Sequence, residues 1–142
     1  MTILSRKGVL AVAAVTDIAL HCGERPVSAK VLAQRYGLAP RHLEPALQAL
    51  VREGVLRGVR GPGGGYEIAR DRRDITAEEI VRIVETSEPP REPNKMLSPL
   101  LLNVVIPTVA QAEQAFSAVL TKISIEDLVR IADTLVLQRR LR

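Results

Sequence analysis

The stretch from residue 28 to residue 68 constrains the fold of this chain more than any other. It opens with Ser28, a favourable helix N-cap because its hydroxyl can accept hydrogen bonds from the amides of the first turn. A helical pattern then runs to Gly37, which suits the left-handed residue that ends a helix. A second helical pattern follows, with apolar side chains about one turn apart at Leu43, Ala46, Leu47 and Leu50. The stretch therefore predicts two helices joined by a tight turn.

The opposite face of the second predicted helix carries polar and basic side chains. By the helical period, Arg41, Gln48 and Arg52 lie on this face together with Pro45, and His42 and Glu44 flank it. A helix with one packed face and one basic, hydrogen-bonding face suits the major groove of DNA.

Pro45 lies inside this second pattern, where a proline removes a backbone donor and costs about 3 kcal/mol. Two arrangements accommodate it: a helix kinked at Pro45, or a short turn followed by a helix that starts near Glu44. Ala39 is a poor N-cap, whereas Pro40 suits the first position of a helix. Pro45 also takes the place of a side chain that could have read a base.

A glycine-rich hairpin follows the second helix. Residues 55–60 and 66–69 have the β-branched and alternating composition of two short strands, and the sequence GPGGG separates them. Because the tip has almost no side chains, its backbone can approach a phosphate closely. The amides concerned are those of Gly61, Gly63 and Gly64. The side chains beside the tip are Arg57, Arg60 and Tyr66. Without its context, this hairpin would be interpreted as an ordinary turn with surface arginines. Because it follows two helices joined by a tight turn, it predicts a basic wing.

Charge is distributed unevenly along the 142 residues. Residues 1–75 carry 12 Lys/Arg and 7 Asp/Glu, whereas residues 76–142 carry 8 and 9. The basic half contains the predicted helix pair, as contact with DNA phosphates requires. The chain has only three aromatic residues, Tyr36, Tyr66 and Phe116. This scarcity disfavours binding of single strands by base stacking.

No catalytic pattern is present in the sequence. The glycines at 61–65 precede a predicted strand and no Lys-Ser/Thr pair, so they form neither a phosphate loop nor a dinucleotide fingerprint. His21 and His42 have no recurring partner spacing, and no Ser–His–acid arrangement stands out. We expect no enzyme activity, no metal site and no cofactor.

The single cysteine, Cys22, excludes an intramolecular disulfide and suits a reducing cytoplasm. The apolar run at 9–20 is shorter than a membrane span, and no signal peptide is evident. We therefore expect a cytoplasmic protein without membrane association. A neighbouring His21 imidazolium could lower the pKa of the Cys22 thiol and make it a redox sensor. The alternative is a small apolar side chain at a helix end, which is the commoner role of such a cysteine.

The remaining segments predict further helices. Residues 4–21 are apolar nearly all round, so this helix should be buried on several sides. Ser5, Arg6 and Lys7 lie at the start of the helix. These residues could contact phosphates, or they could simply be ordinary charged residues at a terminus, and the sequence favours neither role. Thr76 followed by Glu79 forms a capping box that opens a fourth helix.

These segments divide the chain into a winged helix-turn-helix domain at 1–85, a proline-rich linker at 86–97 and a helical region at 98–142. The helical region begins at Ser98, meets Pro107, which should kink the helix or begin a new segment, and restarts at Ser124. Its apolar stripes favour burial against a partner molecule. Packing within the chain is the alternative.

The order of these features resembles the IscR-type (Rrf-two) family of bacterial winged helix-turn-helix regulators. The motifs that carry the resemblance are SRKG at 5–8 and GVLRGVRGPGGGY at 54–66. The resemblance covers roughly the first half to two-thirds of the chain, and the last third matches only in its helical pattern. It implies a mainly α fold: a winged domain with a small two-stranded wing, plus a long C-terminal dimerisation helix.

The family also implies a homodimer that binds double-stranded operator DNA at a pseudo-palindromic site. Members that carry an iron–sulfur cluster place three cysteines before the long helix, whereas residues 85–102 of this chain have none. We therefore expect no cluster. Other members respond to thiol chemistry or metabolites, which implies a small molecule or a redox change at Cys22 as the effector.

Together, these observations predict a dimeric, sequence-specific transcriptional regulator that acts as a repressor. The expected DNA contacts are Ser28, Arg41, His42, Glu44, Gln48, Arg52, Arg57, Arg60, Gly61, Gly63, Gly64 and Tyr66. The family's wing arginine occupies the Arg60 position. Pro45 and Ala39 keep a second interpretation open, in which the winged helix binds proteins and no longer binds specific DNA.

Overall fold

The computed structural model describes residues 5–87 and 98–141. Within these residues the chain is mainly helical, with one two-stranded antiparallel sheet. The elements in chain order are α1 (Arg6–Leu20), α2 (Ala29–Tyr36), α3 (Glu44–Arg52), β1 (Leu56–Val59), β2 (Gly65–Ile68), α4 (Ala77–Thr86), α5 (Ile106–Thr121) and α6 (Ile125–Leu141). Short 3-10 turns at Pro40–His42 and Arg72–Asp74 and a π-helical segment at Leu101–Val105 connect them. The predicted fold class is confirmed.

Local capping sets both ends of α2. The Ser28 hydroxyl accepts a hydrogen bond from the Val31 amide at 3.1 Å. Gly37 ends the helix in the left-handed conformation, with φ at 67°. Both predicted caps are confirmed. Between them, Leu32 and Ala33 are buried and hold α2 against the core.

The segment around Pro45 adopts the second of the two predicted arrangements. A 3-10 turn at Pro40–His42 comes first, and α3 begins at Glu44, so Pro45 is the second residue of the helix. At this position the backbone amide has no partner within the helix, and a proline is tolerated. Arg41 and His42 therefore precede α3, whereas the sequence placed them on the helix itself.

The wing is slightly shorter than predicted. Leu56 pairs with Ile68 at its base, and Val59 pairs with Gly65 next to the tip. The predicted strands at 55–60 and 66–69 thus become Leu56–Val59 and Gly65–Ile68. Val55 is instead fully buried at the end of the turn that follows α3.

A backbone pairing that the sequence did not predict joins the wing to the segment before α2. The Tyr66 amide donates to the Val27 carbonyl at 2.8 Å, and the Val27 amide donates to the Tyr66 carbonyl at 3.0 Å. Gly65 permits this approach, because an added Cβ would lie 2.5 Å from the Val27 carbonyl carbon. The base of the wing is therefore held against the helix pair.

Aliphatic side chains fill the core between α1, α3, α4 and the start of α6. Its largest fully buried members include Leu32, Leu50, Ile80 and Ile125.

Helix α1 begins at Arg6 and buries one face, while Val9 on another face is 49% exposed. The predicted start of this helix at residue 4 lies outside the described residues.

Helix α6 is anchored in the core of the winged domain. The Ile125 amide donates to the Ile75 carbonyl at 2.8 Å, and the Ala77 amide donates to the Ile123 carbonyl at 2.8 Å. Ile125 and Val129 are buried in the same hydrophobic cluster as α1 and α3. Arg72 adds an ion pair to Glu126 in the first turn of α6. Thr86 is the last residue of α4, and residues 88–97 of the predicted linker lie outside the described residues.

Helix α5 packs loosely against the rest of the described chain. No residue between Ile106 and Thr121 is buried. The helix begins at Ile106 with Pro107 as its second residue, so of the two arrangements expected at Pro107 the structure has the new segment. Large apolar side chains are exposed along the π-helical segment, α5 and α6: Leu102, Val104, Val105, Ile106, Val109, Val119, Ile131, Leu135 and Val136. None of the helices in residues 5–87 and 98–141 combines the length and apolar character that a membrane span needs.

Candidate nucleic-acid interface

The start of α1, the 3-10 turn and α3 together line an open groove of about 780 Å³. Its floor is apolar and includes Leu10, Leu38 and Ala46. Its polar lining consists of Arg6, Lys7, Arg41, His42, Gln48, Arg52 and Ser87. No carboxylate is among these lining residues, so the groove is suited to an anionic polymer.

The exposed side of α3 follows from the burial of its other side. Leu47 and Leu50 are buried, and Gln48 and Arg52, one turn apart, are therefore exposed. Arg41 and His42 are exposed on the preceding turn, which brings them into the same groove. Of the six residues that the sequence placed on this surface, five line the groove, Pro45 among them. The sixth, Glu44, is exposed as the first residue of α3 but does not line it.

The start of α1 supplies two further cations. Arg6 and Lys7 line the groove together with Arg41. The Ser5 hydroxyl accepts from the Gly8 amide at 3.0 Å and so sets the start of the helix from which they extend. The sequence left these residues equally suited to phosphate contact and to ordinary terminal charge, because only the folded chain brings them beside α3.

The two arginines of the wing have different surroundings. Arg57 lies directly across the sheet from Glu67, and its guanidinium donates to that carboxylate at 3.0 Å. Arg60 follows β1 and is exposed beside the tip. Arg60 therefore has the less compensated charge of the pair. In the tip, the Gly64 amide donates to the Gly61 carbonyl at 2.9 Å, which closes the turn from within. Gly61 and Gly63 are exposed there.

The wing is in direct contact with α3, the helix whose exposed face is predicted to enter the major groove and which we call the recognition helix. The Gln48 side-chain nitrogen donates to the Tyr66 hydroxyl at 3.1 Å. The sequence placed both residues at the interface but did not predict this contact, since 18 positions separate them and no local pattern relates them. Ser28 lies beside the Val27–Tyr66 pairing, and its hydroxyl oxygen is engaged as the cap of α2.

A cluster around Asp17 joins α2 to α1. The Asp17 carboxylate binds the Arg35 guanidinium and accepts from the Tyr36 hydroxyl at 3.1 Å. Burial and the Asp17 charge both raise the pKa of Tyr36, which keeps this hydroxyl protonated as a donor. The His21 nitrogen Nδ1 lies 2.8 Å from the Asp17 main-chain oxygen, so the imidazole is turned towards α1.

Cys22 is exposed just beyond the end of α1. It lies at a cleft that is also lined by Leu20, Ile68, Arg70 and Arg72. Within residues 5–87 and 98–141, no group of three or more His, Cys, Asp and Glu side chains is arranged to hold a metal ion.

Known protein families and curated proteins similar to this chain are regulators of transcription. Residues 4–131 match the profile of the Rrf2 family, which is described as an iron-dependent transcriptional regulator. The HTH-type transcriptional regulator IscR of Photorhabdus laumondii is 38% identical over 84 residues, which are 59% of this chain and 51% of that protein. IscR of Xenorhabdus nematophila is 39% identical over the same length. The chain spans about half the length of the curated relatives that it matches.

Solved structures extend the similarity to most of the chain. T. potens IscR superposes with a TM-score of 0.71 at 33% identity, covering 91% of this chain and 87% of that one. CymR (YrzC), the global cysteine regulator of B. subtilis, superposes with a TM-score of 0.69 at 29% identity, covering 92% and 98%. The profile match over most of the chain and the winged helix described above show that this protein belongs to the Rrf2 family of transcriptional regulators.

Proposed function

We propose that this protein is a cytoplasmic homodimer that binds a pseudo-palindromic DNA operator and represses transcription without an iron–sulfur cluster. The observation that carries this proposal is the acid-free groove, in which the cations of α1, the 3-10 turn and α3 converge around Gln48. Fixed cations along a groove neutralise phosphates, and a neutral amide among them is suited to a base edge.

We assign base reading and phosphate binding to different residues. In the major groove, Arg41 donates to a guanine and Gln48 forms hydrogen bonds with an adenine. Glu44 accepts from the amino group of a cytosine. His42 and Arg52 bind phosphates, with Arg6 and Lys7 extending the track. Arg60 enters the neighbouring minor groove, where narrow A·T-rich stretches attract cations. The two-fold dimer places two such half-sites one or more helical turns apart.

Alanine substitutions should separate these roles once an operator has been selected from random duplexes. Gln48→Ala should reduce the preference for the correct base at one position by about fivefold or more, because a bidentate contact between a side chain and a base contributes at least that much discrimination. Arg60→Ala should weaken binding most to operators with A·T-rich wing contacts. Arg52→Ala should weaken binding on all sequences and reduce the salt slope by about one. Titrations at several salt concentrations measure all three effects.

Arg73→Ala is a suitable control for the loss of one positive charge. Arg73 is exposed outside the groove and already binds Asp71 at 2.7 Å, a contact that lowers the pKa of Asp71 to about 2. This control should bind the operator as the unmodified protein does. If all three groove and wing variants scaled affinity alike on operator and random DNA, the assignment of roles would be wrong.

The start of α3 at Glu44 bears on the alternative of a protein-interaction module. Pro45 favoured that alternative as a break in the recognition helix, but in the second position of α3 it interrupts no helical hydrogen bond. Binding that stays weak and insensitive to sequence in the same titrations would support the alternative.

The exposed apolar surface supports dimerisation. Helix α5 has no buried residue, and Ile131 and Leu135 on α6 are both more than half exposed. Apolar side chains in this number at the end of the chain favour burial against another molecule, and a second copy is the commonest partner. We assign the dimer interface to this surface of α5 and α6.

The donor set of this chain does not fit an iron–sulfur cluster, although the family is described as iron-dependent. Cluster irons are generally held by several thiolates. This chain has one cysteine, and two copies in a dimer would supply two. The histidines do not supply the missing thiolates: Nδ1 of His21 lies 2.8 Å from the Asp17 main-chain oxygen, and His42 lines the groove, whose lining does not include Cys22.

Cys22 is the one thiol through which an oxidant could act on this chain. If oxidation regulates binding, peroxide should weaken operator binding by changing the packing at the end of α1. Cys22→Ser should then bind the operator normally and not respond to peroxide. An unmodified protein that also fails to respond would exclude the redox role and leave a small molecule as the effector.

A further inference from the structure

The hydrogen bond between Gln48 and Tyr66 joins the two elements assigned to different grooves. Gln48 is exposed on α3, and its side-chain nitrogen donates to the Tyr66 hydroxyl at 3.1 Å. A long exposed amide that reads a base must be ordered for that task, which costs conformational entropy. In this protein the partner that orders it belongs to the wing.

Tyr66 is itself held from several directions. Its amide and carbonyl both pair with Val27, at 2.8 and 3.0 Å, on the side opposite its partner Gly58 in β1. Its ring packs against the hydrophobic core. Because a tyrosine has only two side-chain torsions, a fixed backbone and a packed ring leave the hydroxyl little freedom. Tyr66 is therefore a rigid support for Gln48.

The contact leaves Gln48 with the groups that adenine recognition needs. A carboxamide has two N–H donors and one carbonyl acceptor. One donor is used by Tyr66, and the second donor and the carbonyl remain. Adenine offers an acceptor at N7 and a donor at N6 in the major groove, which match these two groups.

We propose that the Tyr66 hydroxyl positions the Gln48 carboxamide, so that the wing sets the base preference of the recognition helix without reading that base itself. Tyr66 is thus a positioning residue, and its effect on sequence preference passes through Gln48. This inference rests on the proposed DNA-binding function.

The test compares Tyr66→Phe, Gln48→Ala and the double variant on the selected operator and on operators changed at the Gln48 position. Phenylalanine keeps the ring that packs on the core and removes only the hydroxyl. Tyr66→Phe should reduce the preference for the correct base by about threefold to tenfold, the range expected for releasing one long side chain. Affinity for random DNA should fall less than affinity for the selected operator. The double variant should show the same preference as Gln48→Ala alone.

Tyr36→Phe is the matched control, because it also removes a tyrosine hydroxyl that binds a side chain, here Asp17. It should leave base preference unchanged. Equal weakening by Tyr66→Phe on all DNA would overturn the proposal by making the hydroxyl a phosphate contact or a stability element. A further loss of preference in the double variant would overturn it by making Tyr66 an independent reader. Failure of the unmodified protein to select any operator would instead contradict the proposed function.

Discussion

Replacing Ile131 and Leu135 together with aspartate should convert the protein into a monomer and lower its operator affinity by about a hundredfold or more. The two side chains are one turn apart on α6, and their exposed fractions are 58% and 54%. Because they are exposed in the single chain, aspartate should leave the fold intact. In a dimer interface the carboxylates would lose their water without gaining partners. The large loss of affinity follows because two linked half-sites bind far more tightly than one.

Sedimentation and DNA titration measure the two effects separately. Leu20→Asp makes the same chemical change at a site 38% exposed at the end of α1, and this control should remain dimeric. If the double aspartate variant still sediments as a dimer, the dimer interface does not include this part of α6. An unmodified protein that sediments as a monomer would contradict dimerisation itself.

The second large effect is expected at Gly65. A Cβ added there would lie 2.5 Å and 2.6 Å from the carbonyl carbon and oxygen of Val27, and 2.7 Å from the amide nitrogen of Ser28. All three are backbone atoms, so relief requires the Val27–Tyr66 pairing to open. Gly65→Ala should lower the free energy of unfolding by about 1–3 kcal/mol, the usual cost of overpacking. Denaturant unfolding measures this change, and operator affinity should fall with it because the wing loses its support.

Gly58→Ala provides the matched control in the same hairpin. Gly58 pairs with Tyr66 in the sheet, and an added Cβ there would meet no atom within 4 Å. Alanine in this strand should be neutral or slightly stabilising, because it reduces the freedom of the unfolded chain. Equal unfolding midpoints for the two variants would show that the wing does not depend on its contact with Val27.

Sequence reasoning located the helix ends well because capping is local. Four predicted starts have the expected hydroxyl contacts, with bond lengths of 3.1 or 3.2 Å: Ser28 to Val31, Thr76 to Glu79, Ser98 to Leu101 and Ser124 to Asp127. At the last of these, hydrogen bonds from the Ser124 amide and hydroxyl also lower the pKa of Asp127. Each cap depends on residues three positions apart, and such spacing is visible in the sequence.

Only part of the candidate site could be predicted from local sequence patterns. The sequence named Arg41, Gln48 and Arg60 from local patterns, and the structure places Arg41 on a turn before α3. The contact between Gln48 and Tyr66 and the entry of Arg6 into the groove depend on how distant elements pack. Hydrophobic periodicity shows which face of a helix is buried but not which neighbour lies beside its edge.

The anchoring of α6 has a consequence for the order in which the protein is made. The winged domain obtains Ile125 and Val129 for its core from residues that follow the wing by more than fifty positions. During synthesis, the surface of α1 that they cover stays uncovered until residue 129 has left the ribosome. We expect a nascent chain that ends before α6 to depend on chaperones and to bind the operator poorly. Operator binding would then begin only after α6 has been made, so incomplete chains would not compete for the DNA.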